Sequence, residues 1–414
     1  MSGPTIFISA GEASGELYGA LLVKELGRRL AMAGQSGRFF GMGGQRMADA
    51  GLERVVRSED MAVMGITEVV RHLPRVYREF RRLKQSIRER RPDVAVLIDF
   101  PDIHFRLARE LHHLGIPVIF FVSPQLWAWK KHRIRLVQKY VDRMLVIFPF
   151  EEPFYRKHGV QVEFVGHPLA DLPLPSITRE QFAADSGLNP VHTWIGLLPG
   201  SRPREIRDNL PEMLASARIL ALRSPGHAEL GKQLEFEFII PLAPTLNSAQ
   251  RKMVSSIVEE LGAGLTVRLV EDARAVLLHA RASVVASGTA TVEAALIGNP
   301  FVVVYRVSPI TYAIAKRVVR VPHVAMANLI AGSQVVPELI QSDFKAANIV
   351  QQIEPLLPDG VLRQSMMKEL KQIRGLLGSR TEVHGGENGA INRVAAITLE
   401  RLGMTSPLKE SVQL

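Results

Sequence analysis

Cysteine is absent from the 414 residues. That excludes disulfides, iron–sulfur clusters, Cys-ligated zinc and a cysteine nucleophile, and it suits a reducing compartment. Aromatic residues make up only 6% of the chain. No base-stacking or zinc-finger pattern accompanies them, which puts nucleic acid last among candidate partners. No apolar run approaches the ~20 residues of a membrane span. The longest, such as Ile116–Val122 and Phe301–Tyr305, have strand length. The start of the chain lacks the basic and apolar segments of a secretory signal. The expectation is a cytoplasmic protein, soluble or peripheral to a membrane. No two Asp residues are spaced Asp-x-Asp, and the 12 His residues show no His-Glu-x-x-His pattern. The site is therefore expected to work without metal and without a bound cofactor.

What is present is basic charge in one place. Lys and Arg number 51 against 41 Asp and Glu, a formal net charge of +10. Residues 71–91 hold nine basic residues, among them Arg71, Arg75 and Arg78, against Glu79 and Glu89. The same stretch repeats apolar residues at helical steps: Val69, Val70, Leu73, Val76, Tyr77, Phe80, Leu83 and Ile87. It reads as a basic amphipathic helix, broken or started by Pro74. Such a helix either lays its stripe in a core with a solvated basic face, or lies on an anionic membrane surface.

Short β-branched runs alternate with helical segments throughout. Strands are expected at Thr5–Ala10, Arg38–Met42, Asp93–Asp99, Pro117–Val122, Arg143–Phe148 and Val162–Val165. A second set is expected at Thr193–Leu198, Glu235–Ile240, Leu265–Leu269, Ala282–Ala286 and Phe301–Val304. Continuously apolar runs such as Val94–Ile98 mark parallel strands covered on both faces. The fold class is α/β, with two doubly wound parallel-sheet domains. Their limits are read as 1–168 and 191–355. A proline-rich linker lies between them at 169–190, and C-terminal helices follow at 356–414. Those helices have two destinations open: back onto the first domain, or onto a second copy in a homodimer.

In such domains ligands bind beyond the carboxyl ends of strands. The first strand ends in Gly11-Glu12-Ala13-Ser14-Gly15, which is neither a dinucleotide fingerprint nor a P-loop. Its plainer reading is a tight turn with Ser14 as helix cap. Val94–Ile98 runs into Asp99-Phe100-Pro101-Asp102, where Asp99 stands at a general base's position. The plainer reading is a structural Asp, with Asp102 capping the next helix. In the second half, Pro199-Gly200-Ser201-Arg202 combines a glycine turn, an Arg and a helix start, as an anion site requires. Ser287, Gly288 and Thr289 open another helix and suit a diphosphate. Glu293, one turn further on, suits ribose hydroxyls. The plainer reading of both loops is an ordinary capped turn. His167 reads as a structural residue at the domain hinge.

These loops, with Met64-Gly65, Ser123-Pro124-Gln125-Leu126-Trp127-Ala128-Trp129, Gly166-His167-Pro168 and Asn328-Leu329-Ile330-Ala331-Gly332, follow one another in an order that closely resembles the lipid-A-disaccharide synthase family of Gram-negative bacteria. The resemblance spans about residues 5–340. It implies a GT-B fold, with two domains facing a cleft, and an inverting glycosyl transfer without metal. The implied donor is UDP-2,3-diacylglucosamine and the acceptor is 2,3-diacylglucosamine 1-phosphate. The products are a β-1,6-linked disaccharide 1-phosphate and UDP. Asp99 becomes the base, Glu12 joins it as a catalytic residue at the cleft floor, and Glu12 and Ser14 contact sugar. Arg202, Ser287, Gly288, Thr289, Glu293 and Asn328 hold the nucleotide. Acylated substrates also favour the membrane reading of Val69, Val70, Leu73, Val76, Arg71, Arg75 and Arg78, peripheral to the inner membrane. The sequence departs from the family at Glu16, where Asp is expected, at Ile103-His104, where Phe-Asn is expected, and at Ala325-Met326-Ala327. The alternatives are another GT-B enzyme acting on UDP-N-acetylglucosamine (a 2-epimerase or the peptidoglycan glucosaminyltransferase) and a non-catalytic, membrane-peripheral nucleotide-binding protein.

Overall fold

The computed structural model describes residues 3–61, 66–223, 235–308, 312, 321–378 and 389–404; for 66–73 it describes the helical backbone alone. Met64-Gly65 and the side chains of Val69, Val70, Arg71 and Leu73 therefore lie outside the described residues. The chain forms two compact units, Met1–Asp171 with Leu377–Leu414, and Leu172–Leu376.

The first unit is a seven-stranded, all-parallel sheet. Its strands are β1 (Thr5–Ala10), β2 (Arg38–Gly43), β3 (Glu53–Arg57), β4 (Val94–Ile98), β5 (Val118–Phe121), β6 (Arg143–Val146) and β7 (Val162–Phe164). They lie in the order β3-β2-β1-β4-β5-β6-β7. The strands bury both faces because successive side chains alternate sides and both sides are covered. Phe7, Ala95, Leu97 and Phe120 join one core with Leu83, Ile87, Ala108 and Leu111 from the flanking helices. The helix Ala13–Met32 and the last helix, Ala390–Arg401, pack on one another, and both meet β4. β1 and β2 approach so closely that Gly41 (φ +153°) leaves no room for a side chain: a Cβ there would stand 2.0 Å from the Ile8 carbonyl oxygen.

The second unit repeats the plan with six parallel strands: β8 (Thr193–Leu198), β9 (Phe236–Pro241), β10 (Val267–Val270), β11 (Ala282–Ala286), β12 (Phe301–Tyr305) and β13 (Glu338–Ile340). Their order is β10-β9-β8-β11-β12-β13. Trp194 in β8 is fully buried. Its indole N–H donates to the Asn189 carbonyl and to Glu237, each at 2.9 Å.

Four particulars differ from the sequence reading. β3 and β13 were not anticipated; both are edge strands, one with charged ends and the other three residues long. Pro74 neither breaks nor starts a helix, because Ile66–Arg90 runs through it. The span 169–190, read as a proline-rich linker with a short helix, belongs to the second unit from Leu172 on. Its helix Arg179–Ser186 is fixed by Arg179, whose guanidinium lies 3.6 Å from the Trp194 ring centre and donates to three backbone carbonyls. Finally, the segment from 356 on divides: Val361–Leu377 ends where the second unit does, and Ala390–Arg401 belongs to the first. Asp171 accepts from the Ala390 N–H at its start, and Arg393 reaches Glu163 of β7.

The basic helix places its described residues unequally. Leu83 and Ile87 are buried in the core, and Val76 and Phe80 pack partly against it. Val76, expected at the membrane, is half-buried and packs partly against this core. Arg75 and Arg78 are exposed, as is Tyr77. None of the described helices is long and apolar enough to cross a membrane.

Replacing Gly41 by Ala forces β1 and β2 apart within the sheet. We expect a loss of about 2 kcal/mol or more, read as a lower urea midpoint with an unchanged denaturant slope.

Candidate functional site

In each unit the strand order reverses direction once, between β1 and β4 in the first and between β8 and β11 in the second. Such switch points open a crevice at the strands' carboxyl ends. Four of the loops singled out from the sequence, those after β1, β4, β8 and β11, flank these two points.

At the first unit's switch point, Glu12 precedes the helix Ala13–Met32 as its N-cap residue and Ser14 lies within the first turn. Ser14 is therefore not the cap. Gly11 is required here: a Cβ would meet the Phe100 ring at 2.4 Å. Glu16 turns away from the switch point and accepts the Arg46 N–H at 2.9 Å, so its longer side chain serves the start of the next helix.

β4 ends in an unusual turn. Asp99 (φ +53°) and Phe100 (φ +49°) are both left-handed, a conformation that costs each about 1 kcal/mol or more and clusters at functional sites. His104 fixes the turn. Its ring is fully buried, with Nδ1 2.5 Å from the Asp99 carbonyl and Nε2 2.8 Å from the Ser9 hydroxyl. A carbonyl only accepts, so Nδ1 carries the proton and Nε2 accepts from Ser9. Burial lowers the imidazole to about 4, and it stays neutral at pH 7. His104 thus performs with two ring nitrogens what an amide would do, and locks the backbone of Asp99. Asp102 does not cap the following helix, since Phe100 is the cap. Asp102 pairs instead with Arg133 at 2.6 Å.

Beside it, β5 gives way to Val122 (φ +64°) and the Ser123–Trp129 run. The sequence reading missed what holds this run. Glu151, 1% exposed, accepts from the Ser123 hydroxyl (3.0 Å), the Trp127 indole N–H (3.1 Å) and the Phe148 N–H (3.2 Å). Burial raises its carboxyl to about 7 against these donors. The one available signal was position: Glu151 follows β6 closely, much as Asp99 follows β4. His167 is buried, with Nδ1 accepting the Leu169 N–H at 3.2 Å, a structural role.

In the second unit, Gly200 (φ +117°) turns the chain after β8. The Glu205 carboxylate lies 3.2 Å from the Ser201 N–H and 3.3 Å from the Arg202 N–H, with the Arg202 guanidinium 3.2 Å away. The loop's amides thus already hold one carboxylate. After β11, Gly288 (φ +146°) begins the helix Thr289–Ile297 without a side-chain cap. Gly288 and Thr289 are exposed and Ser287 half-buried. Exposed amides at an uncapped helix start suit an anion. Glu293 is half-buried 3.7 Å from Arg274. Burial raises its carboxyl, with Arg274 opposing.

Asn328 is corrected. Its amide nitrogen donates to the Val336 carbonyl (2.9 Å) and to Glu338 (2.7 Å), and its oxygen accepts from Val335 (2.8 Å) and Val336 (2.9 Å). All four hydrogen-bonding positions of the amide are filled inside the protein. Asn328 is fully buried, and its side chain has no hydrogen-bonding position left for a nucleotide. Glu338 also accepts the Val324 and Ala325 N–H groups, so the two residues together fold the segment before β13. Among the described residues, no three His, Asp or Glu side chains cluster to hold a metal ion.

Two doubly wound parallel-sheet units, each with its chemistry-bearing loops at the switch point, define the GT-B class of glycosyltransferases and sugar-nucleotide epimerases. The fold matches CalG4, the calicheamicin glycosyltransferase (TM-score 0.57, 18% identity, 97% of this chain and 99% of that one), and the UDP-GlcNAc 2-epimerase from Neisseria meningitidis (TM-score 0.60, 15% identity, 97% and 100%). The lipid-A-disaccharide synthetase family model matches residues 6–383. The lipid-A-disaccharide synthase of Acidobacterium capsulatum is 59% identical over 410 residues, covering 97% of both chains. The chain belongs to the lipid-A-disaccharide synthase family and is a hexosyltransferase of lipid A biosynthesis.

The buried His104 gives a pH signature. Below pH 6.5 the unfolded chain protonates this ring, whereas the folded chain resists until about 4. Stability therefore falls as pH drops through that window, by about 3 kcal/mol in full. In His104→Asn this part of the fall should vanish. Chemical denaturation at pH 7 and pH 5 reads it, and parallel losses in the two proteins would contradict the assignment.

Proposed function

We propose that the protein joins UDP-2,3-diacylglucosamine to 2,3-diacylglucosamine 1-phosphate, with inversion and without a metal. The observation that carries this reading is that the loops of Glu12 and Asp99 flank one switch point, and those of Arg202 and Ser287–Thr289 flank the other. The first unit takes the acceptor. The Asp99 carboxylate receives the proton of the acceptor's 6-hydroxyl as that oxygen forms its bond to the donor's anomeric carbon. The bond from that carbon to the diphosphate breaks, and UDP leaves with its electron pair. Inversion follows from a single displacement. Glu12 and Ser14, across the switch point, contact sugar.

The second unit takes the nucleotide. The helix start at Ser287, Gly288 and Thr289 offers N–H groups to the diphosphate, and Arg202 supplies positive charge by exchanging its Glu205 partner for phosphate. Glu293 faces the ribose. Strained backbone at Asp99 fits a base held in place before substrate arrives, which removes reorganisation from the reaction step.

Both substrates carry acyl chains, so the enzyme works as a cytoplasmic protein peripheral to the inner membrane. Arg71, Arg75 and Arg78 meet the anionic surface, each contributing about 1 kcal/mol. Val69, Val70 and Leu73 supply the apolar contact.

Asp99→Asn should lower turnover by at least ~10² while UDP affinity, measured by calorimetry, stays within a factor of two. Full turnover in that variant would remove Asp99 as the base. Replacing Arg71, Arg75 and Arg78 together by Gln should weaken sedimentation with anionic vesicles by about tenfold or more. Unchanged sedimentation would return this helix to the role of a solvated face.

A further inference from the structure

The chain has three tryptophans, and the structure uses them differently. Trp194 is fully buried in the second sheet. Trp127 is half-buried and tied to Glu151. Trp129 is 43% exposed, although its neighbours Leu126 and Ala128 are buried. Leaving much of an indole in water forfeits part of its apolar contribution to folding.

The loop is built to hold Trp129 still. Left-handed residues bracket it, Val122 (φ +64°) and Lys130 (φ +52°). A β-branched residue at positive φ is rare and persists only where surrounding bonds enforce it. Glu151 supplies those bonds from below through Ser123 and Trp127. Phe150 packs edge-on against Trp127 at 4.9 Å. The backbone N–H groups of Ala128 and Trp129 both turn to the Gln125 carbonyl, at 3.1 and 3.2 Å.

Charge lies next to the ring. The Lys130 ammonium stands 4.1 Å from the Trp129 ring centre, a cation–π pair that keeps a flexible lysine in place. Lys131 and His132 follow, both exposed. Arg133 then pairs with Asp102, three residues beyond Asp99. The segment that carries the indole and the ammonium is thus tied, through Arg133, to the first turn of the helix that follows Asp99.

We propose that Trp129 and Lys130 are the acceptor's seat: the indole packs against the apolar face of its sugar, and the Lys130 ammonium neutralises its anomeric phosphate. This rests on the function proposed above, in which the acceptor is an acylated sugar monophosphate. The ammonium covers one face of the indole, and the rest of the half-exposed ring with that one positive charge matches such a molecule. The donor's diphosphate has its own loops in the second unit. The pair therefore selects a phosphorylated acceptor over a neutral sugar, and acts on the acceptor alone.

The test is steady-state kinetics on the full chain with detergent-solubilised 2,3-diacylglucosamine 1-phosphate, following UDP release. Lys130→Gln should raise the acceptor KM at least tenfold and leave the donor KM within twofold. Trp129→Ala should do the same, and Trp129→Phe should recover most of the loss. With an acceptor lacking the phosphate, the wild type should lose at least tenfold in kcat/KM and Lys130→Gln should lose almost nothing further. Melting curves matched to wild type establish that each variant is folded. An unchanged acceptor KM in Lys130→Gln, or a change confined to the donor KM, overturns the seat. So does a loss of binding to anionic vesicles with the solubilised-acceptor KM unchanged, since the lysine would then read lipid headgroups. If the wild type forms no disaccharide at all, the functional reading fails first and the seat falls with it.

Discussion

A parallel strand covered on both faces has no lateral surface for polar side chains, so the chain's chemistry collects at strand ends. In both units the helices that cover the sheet leave strands such as Val94–Ile98 and Ala282–Ala286 buried along their whole length. The same covering forces an abrupt turn where each strand becomes a helix. At β4 the turn is made with two left-handed residues, Asp99 and Phe100, and it needs the buried ring of His104 to hold it. At β8 and β11 it is made with glycines, Gly200 and Gly288. Strain held by a buried side chain fixes the backbone that carries Asp99. Glycine turns expose backbone N–H groups. These are the separate requirements of a base and of a phosphate site.

Much of this was legible from residues alone. Thr5–Ala10, Thr193–Leu198 and Ala282–Ala286 could be read to the residue, because short, mostly apolar runs bounded by glycine or polar loops fit little besides a buried strand. Two of the four edge strands were not legible. Glu53–Arg57 has charged ends and Glu338–Ile340 is only three residues long, and each pairs on one side only, so local sequence carries little of their strand character. The loops could be found because strand ends could be found. Side-chain roles were harder to read, since they depend on partners distant in sequence. Asn328 reads as a site residue until Val335, Val336 and Glu338 are seen to fill its amide. Glu151 is one acid among many until Ser123 and Trp127, 28 and 24 residues away, are seen to converge on it.

The departures from the family pattern are intelligible in the same terms. His104 satisfies two partners that an amide would otherwise serve, and burial keeps it neutral, so the substitution preserves the turn at Asp99. Glu16 uses its extra methylene to reach the start of the neighbouring helix. Neither residue adds a charge to the switch point. The basic helix shows the limit of periodicity as a guide. One stripe of apolar residues serves the core from Val76 onward, and the same helical period continues through 66–73.

A single displacement driven by one carboxylate is the step on which the proposed chemistry turns. Its most direct test is the anomeric configuration of the new linkage, read by proton NMR on product formed in the presence of EDTA. One product is predicted, inverted relative to the donor and released with one UDP. Retained configuration, or a reaction abolished by EDTA and restored by a divalent cation, would contradict it.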